Sequence, residues 1–509
     1  MRNQLFSNLT SVLVSLFFSM IIAFWMTPFI VSNLGPEAYG FIPLIQNIIQ
    51  SFSILTVALS SMVGRFIAVA VKQGNYQDAQ KYINTYFYSS ILLSIILLIP
   101  IIIVGLNVDK LVNIPNYLVF DVMMSVFVGG ILFILTFVGS LYATGPFCTN
   151  KLYINNGINS VNIIIRTIAV ILLLTLLTPR IWYVNLASLI SGVIAFIIGG
   201  YFFKKLMPLA KIHISLFDKQ KLKELLSSGV WNSINHVGVI LFLQIDLLVA
   251  NLVVGPYETG RYAAILQIPL IIRTVSSGTA SIFAPIIVSL YAKGNIIELK
   301  SYSNFSTKLN GLLFALPIGI LICLGKEILQ VWLGTEFINL YDLLLILIIP
   351  LVVGVAVIPL FHLPVALNKV RTPAIVTLIL GVFNLILAFT LSKHFGMGLY
   401  GIALAGAIVL ILKNVIFTPL YSAHITKQPL FSYFSGVIRP IMGVLIVIVF
   451  GLITRKIINV ENWYTLGLNG VLILLLYVVF GYYFLINRSE RKSITSLLFR
   501  RFYKRKTSN

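Results

Sequence analysis

The residues in this chain that could do chemistry are charged side chains set inside long apolar runs. Arg273 is the foremost of them. It lies about twelve residues into the run 261–290, and Ser276, Ser277 and Ser281 follow it at helical spacing. At a rise of 1.5 Å per residue, a helix places it ~18 Å from one face of a hydrocarbon core about 30 Å thick, close to the midplane. An arginine at that depth is costly unless it faces protein, water or an anion, so it marks a functional site by default. Its planar guanidinium can grip two anionic oxygens at once. Arg166 in the run 156–178 and Lys413 in 398–421 are further bases at depth, and Arg65 lies near one end of 41–70. Gln46, Gln50, Ser53 and Ser60 make a polar face on that same run. The single deep acid is Asp246 in 225–252, on a face with Asn232, Asn235 and Val239; His236 stands beside that face, and Asn384 lies in 372–393. A carboxylate among amides can hold a cation or a proton, whereas the bases would hold an anion. The alternative for these polar stripes is hydrogen bonding that only packs helices together.

The elements that must position these residues are membrane helices. Hydrophobic residues make up 59% of the 509, charged residues 10%, and mean hydropathy is +1.00. Apolar runs predict fourteen helices, at 6–32, 41–70, 83–105, 118–144, 156–178, 181–203, 225–252, 261–290, 308–332, 340–366, 372–393, 398–421, 435–454 and 464–486. No soluble domain fits between them. The first apolar stretch is too long for a cleavable leader and reads as a signal anchor. The formal charge of +22 suggests nucleic acid only until its positions are plotted. With both termini cytoplasmic, the loop bases on the far side are Lys110, Arg180, Arg261, Lys393, Arg455 and Lys456, and every other loop base lies inside. That is a topology signal, and no nucleic-acid partner is expected. The basic tail 488–509 could also meet anionic lipid headgroups. Cys148 and Cys323 give no disulfide framework, and no phosphate-cradling, H-E-x-x-H or C-x-x-C motif occurs. No ATPase, metal or cofactor is therefore expected, and energy must come from H+, Na+, the membrane potential or the substrate gradient.

The chain also repeats itself. Leu34-Gly35-Pro36-Glu37-Ala38-Tyr39-Gly40 returns 220 residues later as Val254-Gly255-Pro256-Tyr257-Glu258-Thr259-Gly260. The offset holds through Gly74-Asn75 and Gly294-Asn295, then Tyr82 and Tyr302, then Asn84 and Asn304. Pro146, Asn150 and Lys151 match Pro364, Asn368 and Lys369 at an offset of 218. These matches fall on residues that fix turn geometry. They predict an all-α polytopic membrane protein with two six-helix lobes in parallel pseudo-two-fold repeat and two extra C-terminal helices. The expected boundaries are 1–204 for the N-lobe, 205–224 for a basic cytoplasmic linker, 225–424 for the C-lobe, 425–487 for the last two helices and 488–509 for the tail. Within the repeat, Arg273 is the counterpart of Ser53, so the deep charge belongs to one lobe only.

With its G-P-E-x-Y-G loop, the V-G-P-x-x-x-G echo, the two G-N turns and 12 + 2 helices, the chain resembles the multidrug/oligosaccharidyl-lipid/polysaccharide exporter superfamily. More narrowly, it resembles the polysaccharide transport branch, the Wzx-type flippases of lipid-linked oligosaccharides. The resemblance runs from end to end. It implies two bundles around a cavity that opens alternately to each side. It implies an undecaprenyl-pyrophosphate-linked oligosaccharide as cargo, for O-antigen, capsule or a related surface polysaccharide. Arg273, Arg166, Lys413, Arg65, Gln46, Gln50, Ser53, Ser276 and Ser277 would then line the pyrophosphate and glycan cavity. Some relatives bind sodium or a proton on an acid of the seventh helix; Asp246, Asn384 and Asn235 occupy that region here, without the second acid that some relatives carry on the eleventh. The resemblance further implies a monomer in the cytoplasmic (inner) membrane, among membrane lipids and beside a polysaccharide polymerase or chain-length regulator. The rival readings are a cation-coupled multidrug exporter of the same fold, a lipid II flippase, and a polymerase or ligase. The basic cavity disfavours the first, the absence of basic residues after Arg2 in the first helix the second, and the lack of a large outer loop the third.

Overall fold

The computed structural model describes residues 2–208, 210–485 and 487, and among them all regular structure is helical. The helices used below are α1 (Arg2–Leu34), α2 (Pro36–Ser51), α3 (Ser53–Lys72), α4 (Tyr76–Leu106), α5 (Val119–Gly139), α6 (Leu152–Leu176), α7 (Trp182–Leu206), α8 (Lys219–Leu243), α9 (Asp246–Val253), α10 (Pro256–Ser281), α11 (Ala284–Ala292), α12 (Ile296–Trp332), α13 (Arg371–Phe389), α14 (Gly398–Leu410), α15 (Thr418–Ile425), α16 (Ser435–Ile457) and α17 (Trp463–Phe480). Twelve helices among the described residues are long and apolar enough to span a membrane, or thirteen if α8 and α9, bent by 41°, count as one span. The chain is thus a multi-pass all-helical membrane protein, with fewer unbroken spans than the fourteen expected. The difference lies at 340–366, which splits into Tyr341–Ile348, Leu351–Ala356, a tighter turn at Ile358–Phe361, and His362–Ala366. Pro350, Pro359 and Pro364 fall in this stretch. Each lacks the N–H that would continue the ladder, so an apolar run of spanning length does not become one rod. The expected helix 41–70 is likewise interrupted at Phe52. The basic tail 488–509 lies outside the described residues.

The repeated turns adopt repeated conformations. Gly35 and Gly255 both have positive φ, 82° and 113°, and each hands the chain to a proline in the first turn of the next helix. Asn75 and Asn295 cap α4 and α12 alike, each accepting at 3.1 Å the N–H of the residue three positions on. Asn150 and Asn368 share a φ of 55°. The side chains Asn84 and Asn304 also do one job twice. Asn84 donates to the Lys211 carbonyl at 2.8 Å and accepts from the His213 N–H at 2.7 Å, tying the linker to α4. Asn304 donates to the Ser432 carbonyl at 2.8 Å, tying the segment before α16 to α12.

By contact the chain forms two compact units, Met1–Ile282 with Leu367–Lys413, and Phe283–Ala366 with Asn414–Asn509. In the first, α8–α10 and α13–α14 pack with α1–α7. Lipid tails are as apolar as leucine, so these helices are held by close contact and hydrogen bonds rather than by exclusion of water. The tightest contact joins α2 and α10, where the repeat-equivalent glycines Gly40 and Gly260 cross. A Cβ on Gly40 would lie 2.5 Å from the Gly260 Cα, and one on Gly260 would lie 1.8 Å from the Pro36 carbonyl oxygen. At the linker, Asp218 caps α8 by accepting the N–H groups of Gln220 at 2.8 Å and Lys221 at 3.3 Å, and it pairs with Lys81 at 3.3 Å. The Lys221 N–H, with that of Gln220 and the Lys81 ammonium, holds this carboxyl below the usual carboxylate range. In the second unit, α16 packs along α12, Tyr477 of α17 donates to the Leu312 carbonyl at 2.8 Å, and Thr454 joins α16 to Asn469 of α17 at 2.7 Å.

Candidate functional site

A group of polar side chains at depth lies in the first unit, around the break between α8 and α9. The chain leaves α8 at Leu243, turns through Gln244 and Ile245, and starts α9 with Asp246 as its first residue. The break places the carboxylate at the positive end of a helix, which favours its charge. Asn384 of α13 donates its amide to Asp246 Oδ1 at 3.2 Å and to the Leu241 carbonyl at 3.2 Å, bridging the two sides of the bend. On α14, Gly406 keeps space beside the other carboxylate oxygen; a Cβ there would come within 3.5 Å of Oδ2. Arg273 of α10 acts electrostatically on Asp246, and Tyr262 of the same helix feels the charges of both. Arg273 is half-buried, and among the described residues it makes no hydrogen bond and no ion pair. Lys413 sits in a wide π turn, Ile411–Phe417, that continues α14; its ammonium lies 5.1 Å from the centre of the Phe242 ring and within the field of Arg273. Arg273 thus feels both an acid and a second base. Four buried polar atoms here find no protein partner: Tyr262 Oη, Arg273 Nε, Asn384 Oδ1 and Gln244 Oε1. Orphans this concentrated mark a place built to meet water or a ligand.

The other expected residues are distributed differently. Arg166 stands apart from this group on α6. It is exposed yet surrounded by protein, as a residue lining an internal crevice is, and it acts on the buried hydroxyl of Tyr39 beside Thr27 and Gln267. Gln46 and Gln50 are exposed on α2, Ser277 is exposed on α10, and Ser276 is buried. Ser53 is not a free cavity group: it is 7% exposed, and its hydroxyl meets His236 Nε2 at 2.5 Å and the Gln50 carbonyl. That contact pins α3 to α8 and makes His236 a structural partner. Arg65 is exposed on α3. Asn235 is bonded to neither Asp246 nor Asn384, because the bend removes α9 from the face that carries Asn232, Asn235 and Val239. Sequence reasoning missed Gln244 and Tyr262, and also Asn47, whose amide donates to the Gln244 carbonyl at 3.0 Å. One signal was present: Asn47 and Gln267 are polar counterparts in the repeat.

A sodium ion is the one inorganic group that the resemblance suggests. The site offers it one carboxylate and the amide oxygens of Asn384 and Gln244, but Arg273 and Lys413 already bring positive charge, and α13 carries no acid. With those bases beside it, the donor set fits a monovalent cation poorly.

The profile of the family described as "Polysaccharide biosynthesis protein" matches residues 5–291. The uncharacterized membrane protein EpsK of Bacillus subtilis (strain 168) is 43% identical over 500 residues, 98% of this chain and 97% of its own. The chain belongs to the polysaccharide biosynthesis protein family. Two solved structures place this family member's fold. The lipid II flippase MurJ, in an inward closed conformation, aligns with a TM-score of 0.65 at 15% identity, over 92% of this chain and 98% of its own. An inward-facing multidrug resistance MATE family transporter of the MOP superfamily aligns with a TM-score of 0.63 at 13% identity, over 81% and 96%. The protein therefore has the fold of the MOP superfamily, the multidrug/oligosaccharidyl-lipid/polysaccharide exporters of the sequence resemblance.

Proposed function

We propose that this member of the family flips a pyrophosphate-linked oligosaccharide lipid from the cytoplasmic to the outer leaflet, supplying assembly of a surface polysaccharide. The observation that carries the reading is Arg273: a half-buried guanidinium at depth, without a hydrogen-bond or ion-pair partner among the described residues, and within the field of a second base. The pyrophosphate would engage Arg273 with Lys413 nearby, Arg166 would line the path, and Gln46, Gln50 and Ser277 would meet glycan hydroxyls. The lipid tail would stay in the bilayer. A multidrug exporter of organic cations would want the opposite sign at this place. Both termini are taken to be cytoplasmic, on the asymmetry of the loop charges.

The sign of the cargo also supplies a driving force. An anion carried outward across an inside-negative membrane gains about 2.3 kcal/mol per elementary charge per 100 mV. Coupling to sodium is therefore not required by this reading. The test is transfer of a labelled lipid-linked oligosaccharide between leaflets of proteoliposomes. Arg273→Ala should abolish transfer at unchanged protein yield, and Arg273→Lys should keep part of it, since the charge stays while the two-point grip is lost. Full transfer by Arg273→Ala would refute the assignment.

A further inference from the structure

A carboxylate at membrane depth needs a positive charge to compensate it, and breaking such compensation is strongly destabilising. Asp246 has the N-terminus of α9 and a single amide hydrogen bond from Asn384. Its other oxygen faces the space left by Gly406. The base in its field is Arg273, and Lys413 lies in turn within the field of Arg273. Had Arg273 closed on Asp246 in a bidentate pair, its donors would be consumed; had it been remote, the acid would be uncompensated. The structure shows neither. Arg273 acts on Asp246 across a gap, with Tyr262 Oη and Asn384 Oδ1 as unpartnered polar atoms beside the pair. The donors of Arg273 thus remain free for an incoming anion, while any anion that arrives must approach the fixed negative charge of Asp246.

We infer that Asp246 is the release-tuning residue of this anion site, a built-in counter-charge that stabilises Arg273 when the site is empty and weakens its hold on an anionic headgroup when it is full. The inference rests on the reading of Arg273 as an anion site. It concerns affinity and exit, and assigns no ion coupling to Asp246. Removing the charge at constant shape, by Asp246→Asn, takes one like charge from beside the bound anion. At the effective dielectric of a protein interior this should tighten binding on the order of tenfold.

The experiment uses the full chain purified in detergent, inorganic pyrophosphate as the probe, and two readouts: calorimetric binding and melting temperature. Asp246→Asn should bind pyrophosphate on the order of tenfold more tightly than wild type. In an Arg273→Gln background the same substitution should change nothing, because the anion it acts upon is no longer held. Melting should show the reverse pairing: Arg273→Gln alone leaves a buried charge and melts lower, and Asp246→Asn/Arg273→Gln recovers most of the loss. A purely structural Asp246 would change melting without Arg273-dependent tightening, and that result would overturn the inference. So would tighter binding that persists in Arg273→Gln. If wild type binds no pyrophosphate, the anion-site reading falls first and the tuning role with it. If wild type binds and Asp246→Asn binds no better, the inference alone fails.

Discussion

Replacing Gly260 by alanine tests whether the crossing of α2 and α10 is a seal that transport must open. The added Cβ would lie 1.8 Å from the Pro36 carbonyl oxygen, and the reciprocal one on Gly40 would lie 2.5 Å from the Gly260 Cα. Carbon contacts settle near about 3.5–4.0 Å, and both obstacles are backbone atoms that no rotamer change can move aside. The two helices must therefore part by more than an ångström. Overpacking of this kind costs about 1–3 kcal/mol, and a backbone obstacle places Gly260→Ala at the upper end. Alternating access requires that one end of the cavity be closed in one state only. The penalty then falls on that state alone, and ~3 kcal/mol shifts the balance towards the open form by about two orders of magnitude. Ala38, 6% exposed at the start of α2, reports on it. In an Ala38→Cys protein, labelling by a membrane-impermeant maleimide, quantified on the peptide that carries the introduced thiol, should rise steeply when Gly260→Ala is added. Gly470→Ala is the control, since nothing lies within 4 Å of a Cβ there. A Gly260→Ala protein with wild-type melting, and with no added labelling of that thiol, would refute the reasoning.

The linker yields two further predictions. Asn84→Ala should lower the melting temperature more than Asn304→Ala: Asn84 uses both ends of its amide on the linker, and a buried hydrogen bond contributes about 1 kcal/mol, whereas Asn304 donates one such bond and its oxygen is left unpartnered. Equal losses in the two purified variants would show that the oxygen side of the clamp contributes nothing. Asp218 carries a pH signature. Its folded carboxyl titrates below its unfolded one, so the stability it adds is fully present above the unfolded value, about 3.9, and is lost as pH falls through the lower folded value. Asp218→Asn should therefore lower the melting temperature at neutral pH and flatten its acid limb, and parallel melting curves for the two proteins down to acid pH would argue against this role.

Much of the fold was legible because helical spans and turn residues write themselves locally. The turn glycines and capping asparagines of the repeat are chemical necessities of their backbone angles, so the residue types at Gly35, Gly255, Asn75 and Asn295 already point to equivalent turns. Breaks were harder to see. Hydropathy at 340–366 measures length in residues, not continuity of the hydrogen-bond ladder, and three prolines decide the latter. The bend at Gln244 and Ile245 carries no proline or glycine at all, so helical spacing through 225–252 drew Asn235 onto the face of Asp246 where the structure separates them. The pairing of Asp246 with Asn384 survives because it depends on contact between α9 and α13, which the bend creates. Ser53 shows the complementary error: spacing made it a cavity hydroxyl, and a histidine from another helix claims it.

The asymmetry of the repeat bears on how such a protein can both hold its cargo and let it go. The turns and the caps are duplicated, and the equivalent glycines Gly40 and Gly260 meet at one crossing, yet the residue at the Ser53 position of the second half is Arg273, and the acid in its field has no counterpart in the first half, where residue 26 is a methionine. A symmetric pair of arginines would bind a pyrophosphate from both sides, and unmaking a buried charge pair costs about 3–5 kcal/mol. That is of the same order as the work available from a membrane potential of ~100 mV on two charges, about 2.3 kcal/mol each. A site gripping from both halves would then sit at or beyond the point where the potential can empty it. If Arg273 holds the anion as proposed, a single arginine opposed by Asp246 would keep the hold below that limit. On this reading the duplicated frame provides the motion, and the unduplicated charges set the affinity at which the motion can do transport.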